Sequence, residues 1–230
     1  MTRMVTHDGE EIDYVSVHEE PMHKHQFDNE YVWCYRVGLE PGKMCKWHRH
    51  SEDSFYVALT DGKALNRPCD RPEYVHPIKQ FDQWWSMAKT SPIIHQARYL
   101  PQVCLLAECP IAADFFALEI LKSPPVTSDA PLNCPGYTVE SEYSKDKARV
   151  YQLSLEPGQS TGMHKWNFYG VVLSLSDGEL SSEGDGSPFA DGKLSKYGRF
   201  KWVEGPIEFS VKNEGEAVYK ALVVEWLRHE

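Results

Sequence analysis

The chain has 230 residues, a formal net charge of −10, and 41% hydrophobic and 12% aromatic residues. That length suits one large all-β domain or two of ordinary size, and the composition excludes disorder over most of it. The acidic balance, with no run of lysines or arginines longer than two, excludes nucleic acid and anionic membrane surfaces as partners.

No apolar run approaches the roughly 18 residues that span a bilayer. Residues 1–11 mix charged and polar side chains and lack the apolar segment of a signal peptide, so a cytoplasmic location is expected. The six cysteines, Cys34, Cys45, Cys69, Cys104, Cys109 and Cys134, form no CxxC pair and read as reduced thiols.

In chain order, His23-Lys24-His25 comes first, beside Pro21 and charged residues, and reads as a solvated loop or arm able to fold over a site as a lid. Tyr31, Trp33, Tyr35, Val37 and Leu39 then alternate with other residues, the period of a strand with one face on a core. Glu40-Pro41-Gly42 is a turn signal. His48-Arg49-His50 follows, then a strand through Phe55, Val57 and Leu59, closed by Asp61-Gly62. Residues 63–91 read as a long insertion holding His76 and Trp84-Trp85, with a turn or two of helix over 81–88. His95 follows Pro92 by three positions, and strands are expected over 103–108 and 115–121.

Residues 123–136 hold Pro124, Pro125, Pro131 and Pro135 and read as a linker between domains 1–122 and 137–230. Beyond it the pattern repeats. Tyr35-Arg-Val-Gly-Leu-Glu-Pro-Gly42 recurs as Tyr151-Gln-Leu-Ser-Leu-Glu-Pro-Gly158, at an offset of 116 residues. The same offset carries His48 onto His164, Leu59 onto Leu175, and Asp61-Gly62 onto Asp177-Gly178. Residues 181–187, rich in Gly and Ser, read as a mobile loop. Ile207, Phe209 and Val211 alternate as a strand before the turn Asn213-Glu-Gly215 and a β-rich run to Trp226. Many short strands with Gly/Pro punctuation, duplicated, indicate two double-sheet β-barrels or jelly rolls.

These residues resemble the cupin superfamily. Gly42, five intervening residues, His48-Arg49-His50 and Gly62 match its first motif, and Pro92-Ile-Ile-His95 matches the first half of its second. The family's glutamate should fall at Ser54 or Phe55, where no carboxylate stands. In the second copy the histidine pair becomes His164-Lys165-Trp166, the later histidine becomes Phe209, and Asn213 stands at the motif's asparagine. The resemblance therefore implies a bicupin of two tandem all-β barrels, with metal ligands in the first only.

His48 and His50, at i and i+2, share a strand face, where a facing strand can bring His95 opposite. Three imidazoles suit Fe, Zn, Ni or Cu and poorly suit Mg or Ca, and three ligands leave positions open for substrate. His76 is the rival for the third position. Three-histidine cupins are similar to the Fe(II) dioxygenases, which implies a divalent metal, Fe(II) first with Zn, Ni and Mn as alternatives, and oxidoreductase chemistry on a small-molecule substrate. The other readings are a metal-dependent isomerase or lyase with Tyr56 moving protons, and a non-catalytic ligand- or sugar-binding bicupin. Arg36 and Arg98 are candidates for holding an anionic substrate. Cys45 reads as a core residue, and a pocket lined by Trp166, Tyr169 and Trp202 is a further sugar-binding candidate. The resemblance also implies a homodimer.

Overall fold

A computed structural model describes residues 2–100 and 113–229. The strand expected over 103–108, with Cys104 and Cys109, lies outside the described residues. The chain divides into two compact units, Met1–Leu121 and Lys122–Glu230. Among the described residues, no helix is long and apolar enough to cross a membrane.

The first unit contains β1 (Thr2–Val5), β2 (Glu11–Ser16), β3 (His23–Asp28), β4 (Val32–Leu39), β5 (His48–His50), β6 (Asp53–Ala58), β7 (Gly62–Pro68), β8 (Tyr74–Ile78), β9 (Gln83–Met87), β10 (Ile93–Leu100) and β11 (Ala113–Ile120). Two sheets form, in the orders β1-β2-β5-β10-β7-β8 and β3-β4-β11-β6-β9. Tyr35, Tyr56 and Phe115 of one sheet meet Ala64, Ile78 and Tyr99 of the other in a single core. This is the double-sheet architecture that the alternating strands predict.

The second unit contains β12 (Tyr137–Val139), β13 (Ala148–Leu155), β14 (His164–Trp166), β15 (Tyr169–Ser174), β16 (Leu180–Asp185), β17 (Phe200–Glu204), β18 (Ile207–Asn213) and β19 (Tyr219–Trp226). Its sheets run β12-β13-β19-β15-β17 and β14-β18-β16. The duplication survives in the pairing: His95 lies opposite His48 across β10 and β5, and Phe209 lies opposite His164 across β18 and β14.

Several local readings change. Residues 63–91 are three further strands of the first barrel, and no helix forms over 81–88. There Phe81 takes a φ of 73° and β9 pairs with β6, setting Trp84 against Tyr56 and Trp85 against Phe55. Two bulky aromatics on alternate faces satisfy a strand better than a helical turn. The Gly/Ser segment from 181 is largely strand β16, paired along β18, with the Ser182 hydroxyl donating to the Ser210 carbonyl at 2.7 Å. The proline-rich segment packs within the second unit: Leu132 lies against its core, and its N–H donates to the Tyr151 hydroxyl at 3.1 Å. The sheet containing β4, β6 and β11 is also apolar on both faces, since Cys34, Phe55, Val57, Phe116 and Leu118 are buried as fully as the inward side chains.

Gly170 on β15 shows how tightly the second unit is drawn together. A methyl group added there would stand 2.4 Å from the carbonyl oxygen of Val224, on the neighbouring β19. Backbone cannot yield as a side-chain tip can. Gly170→Ala should therefore destabilise the protein by about 1–3 kcal/mol, read as a lowered urea midpoint; an unchanged midpoint would contradict this packing.

Candidate metal centre

The short strand β5 exists because three residues, His48-Arg49-His50, bridge β2 and β10. At i and i+2, His48 and His50 turn to the barrel interior, and both are buried. Their Nε2 atoms are 3.0 Å apart. From β10, His95 brings its Nε2 to 3.1 Å from that of His50, and its ring centroid lies 4.5 Å from that of His48. The three histidines read from the motif are thus brought together.

A fourth joins them. His23, on β3 of the opposite sheet, is buried with its ring centroid 4.5 Å from His48 and 5.7 Å from His50. His23, His48 and His50 each present a ligating atom within 4.8 Å of the others. The loop reading gives way to strand β3, and solvation holds only for His25, which is exposed and bonded to Asp28 at 2.8 Å. His23 lies opposite Val37 on β4, whose side chain belongs to the core, so the sheet register turns it inward.

Each ring is held from outside through Nδ1. The His48 Nδ1 donates to the Lys46 carbonyl at 2.8 Å, and the His95 Nδ1 to the Asn66 side-chain oxygen at 3.0 Å. The His23 Nδ1 meets Glu20 at 2.7 Å, and the His50 Nδ1 meets the Tyr56 hydroxyl at 3.3 Å. Glu20 is the hub of this outer layer. Buried beside Pro21, it also accepts the N–H groups of Met22 and Lys46, at 2.7 and 3.1 Å. Burial alone would raise its pKa, but hydrogen bonds from His23, Lys46 and Met22 outweigh that and hold it below the usual carboxylate value. Sequence reasoning missed Glu20 and Asn66, since neither lies in a motif.

Burial, followed by the neighbouring histidines, pushes the pKa of His48 and His50 well below 6.5, and burial pushes that of His95 down to about 3. With Nδ1–H committed outward, the Nε2 lone pairs of His48 and His95 face inward. Two imidazole nitrogens bound cis at about 2.1 Å from one ion lie about 3 Å apart, as the observed separations do. Outer acceptors that fix the tautomer of inward imidazoles are a common feature of metal centres. The residues present therefore fit a divalent transition metal, and an all-imidazole set suits Fe, Zn, Ni or Cu far better than Mg or Ca.

The remaining expectations are distributed around this cluster. Tyr56 is at the site, with its hydroxyl 2.9 Å from that of Tyr35. Burial pushes its pKa up to about 12, so it remains a phenol near neutrality and is a poor general base. Arg36 is a correction: on β4 it alternates with the inward Tyr35 and Val37, and its guanidinium is paired with Asp114, away from the histidines. Arg98 likewise alternates with the inward Ala97 and Tyr99. His76 lies on β8 near Trp84, at a ring separation of 6.0 Å, and lines the cavity without entering the cluster. Cys45 lies 3.7 Å from the His48 Nδ1, but burial pushes its thiol up to about 12, so it stays protonated. Above the histidines opens a cavity of about 320 Å³, walled by Trp84, Tyr56, Phe115, Ile78 and Tyr74.

In the second unit His164 packs on Phe209 at 4.6 Å, and Trp166 is fully buried against Phe168 and Phe209. Trp166 therefore lines no open pocket with Tyr169 and Trp202. Trp166 and Phe209 stand where the first unit has His50 and His95, while His164 keeps the position of His48.

Solved structures with a similar fold identify the architecture. AerE from Microcystis aeruginosa is 14% identical with a TM-score of 0.59, over 91% of this chain and 99% of its own. A Cupin 2 conserved barrel domain protein from Leptotrichia buccalis is 13% identical with a TM-score of 0.53, over 88% and 87%. Oxalate decarboxylase from Bacillus subtilis is 13% identical with a TM-score of 0.55, over 92% and 70%. The fold is that of a bicupin. No family model and no curated relative matches the sequence.

The burial of the first barrel's histidines makes its stability pH-dependent. Unfolded histidines titrate near 6.5, whereas His48, His50 and His95 titrate lower in the fold. Below about pH 6.5 the unfolded chain binds protons that the folded barrel does not, so stability is lost as pH falls. In chelator-treated protein the urea midpoint should drop between pH 7 and pH 5, and drop less in His95→Gln. A midpoint flat over that range would contradict the burial.

Proposed function

We propose that the first barrel is a mononuclear metal centre held by His23, His48, His50 and His95, and that the protein is a metal-dependent enzyme of the Fe(II) cupin dioxygenase type. The observation that carries this reading is the convergence of four imidazoles whose Nδ1 atoms are all engaged outward. When bound, a divalent ion there supplies a Lewis acid and, as Fe(II), a centre for O₂ chemistry.

The chain's own residues prepare that chemistry. Glu20, the Lys46 carbonyl and Asn66 fix three rings in one tautomer. Tyr56 presents a phenol O–H between His50 and Tyr35, stacked on Trp84 at 5.2 Å with 5° between the planes. Tyr56, Trp84 and Phe115 line the space a substrate would enter. His23 stands in for the glutamate that the cupin motif lacks here, so the ligand set carries no carboxylate. The fold alone does not choose the reaction, since cupin barrels host several chemistries.

The test is metal content and oxygen uptake on purified, iron-reconstituted protein. His23→Ala, His48→Ala, His50→Ala and His95→Ala should each lower metal affinity at least about tenfold, with His76→Ala unaffected. Oxygen uptake should appear in wild type with a turned-over small molecule and vanish in those four variants. Turnover that proceeds without O₂ would replace the dioxygenase reading by a lyase or isomerase. Failure to bind any metal after reconstitution would overturn the metal centre.

A further inference from the structure

The cavity above the histidines is one-sided in charge. The chain carries 34 acidic residues against 24 basic ones, yet among the described residues no aspartate or glutamate lines this cavity. Its one guanidinium is Arg71, on the connection between β7 and β8. Arg71 is exposed, and no ion pair ties it to a carboxylate among the described residues. Its neighbours Asp70 and Glu73 are also exposed and do not line the cavity. Between Arg71 and the histidine cluster the walls are mostly apolar, with Tyr74, Ile78, Trp84 and Phe115, and the polar side chains there, Asn66, Ser86 and His76, carry no carboxylate.

An exposed guanidinium lining a mostly apolar, acid-free pocket matches one class of ligand. We propose that the cavity takes an organic anion, a small carboxylate with an apolar body, and that Arg71 binds the carboxylate at the cavity mouth. The bidentate fork of arginine suits a carboxylate. This deepens the metal-centre reading, because imidazole ligands leave the ion's charge uncompensated and an anion would balance it. The contact with Arg71 does not itself require the ion.

Calorimetric titration with benzoate and its neutral isostere benzamide tests this, on wild type and Arg71→Gln, each metal-loaded and chelator-treated, with metal content measured alongside. Benzoate should bind wild type about tenfold more tightly than benzamide, the scale of a charge-assisted pair. Arg71→Gln should abolish that preference with metal content unchanged. Equal binding of the two probes, binding of neither, or a preference that survives Arg71→Gln would each overturn the proposal. A benzoate preference that depends on Arg71 in protein unable to hold metal would sustain this inference while sinking the metal centre.

Discussion

Desolvated imidazoles set the terms for the first barrel. His48, His50 and His95 lie within a few ångströms of one another, His48 and His50 buried and His95 half-buried at the cavity floor, and an imidazolium there would meet both low dielectric and its neighbours. The cluster is tolerable only if each ring stays neutral and each Nδ1 finds a partner. The surrounding architecture supplies those partners: a backbone carbonyl before β5 for His48, the Tyr56 hydroxyl for His50, an amide on β7 for His95, and, for His23 beside them, the buried Glu20 ahead of β3. Glu20 matters beyond its own histidine. By accepting the Lys46 N–H it also steadies the residue whose carbonyl orients His48, so two rings from different sheets depend on one carboxylate.

The second barrel shows what the same framework becomes without that constraint. The cross-strand register is kept, with His164 opposite Phe209 where His48 faces His95. Donor atoms have been exchanged for ring volume: Phe209 and Trp166 fill the interior, and both are fully buried. Packing of this kind stabilises through buried apolar area rather than through any ligand. One duplication has thus yielded a barrel built around polar convergence and another built around aromatic fill.

Much of this was legible in the sequence, and the reasons differ by residue. The repeat from Tyr35 to Gly42 was readable because strand phase and turn residues are local properties. The pairing of His48 with His50 follows from a two-residue period, and His95 from its motif. His23 was not legible, because its inward direction comes from the pairing of β3 with β4, a long-range register that polar neighbours disguise. Arg36 misled for a related reason: a strand arginine beside core residues points to the opposite face, where Asp114 of β11 meets it. Strands β7 to β9 hid as an insertion because Pro72, Pro77 and an aromatic pair broke the alternation that marks strands elsewhere.

The central claim is that four imidazoles from two facing sheets share one ion. X-ray absorption spectroscopy on iron-loaded protein, wild type beside His23→Ala, tests it most directly. The account predicts four imidazole nitrogens around the metal in wild type and three in the variant. Three in both, or a metal environment without imidazole scattering, would contradict it.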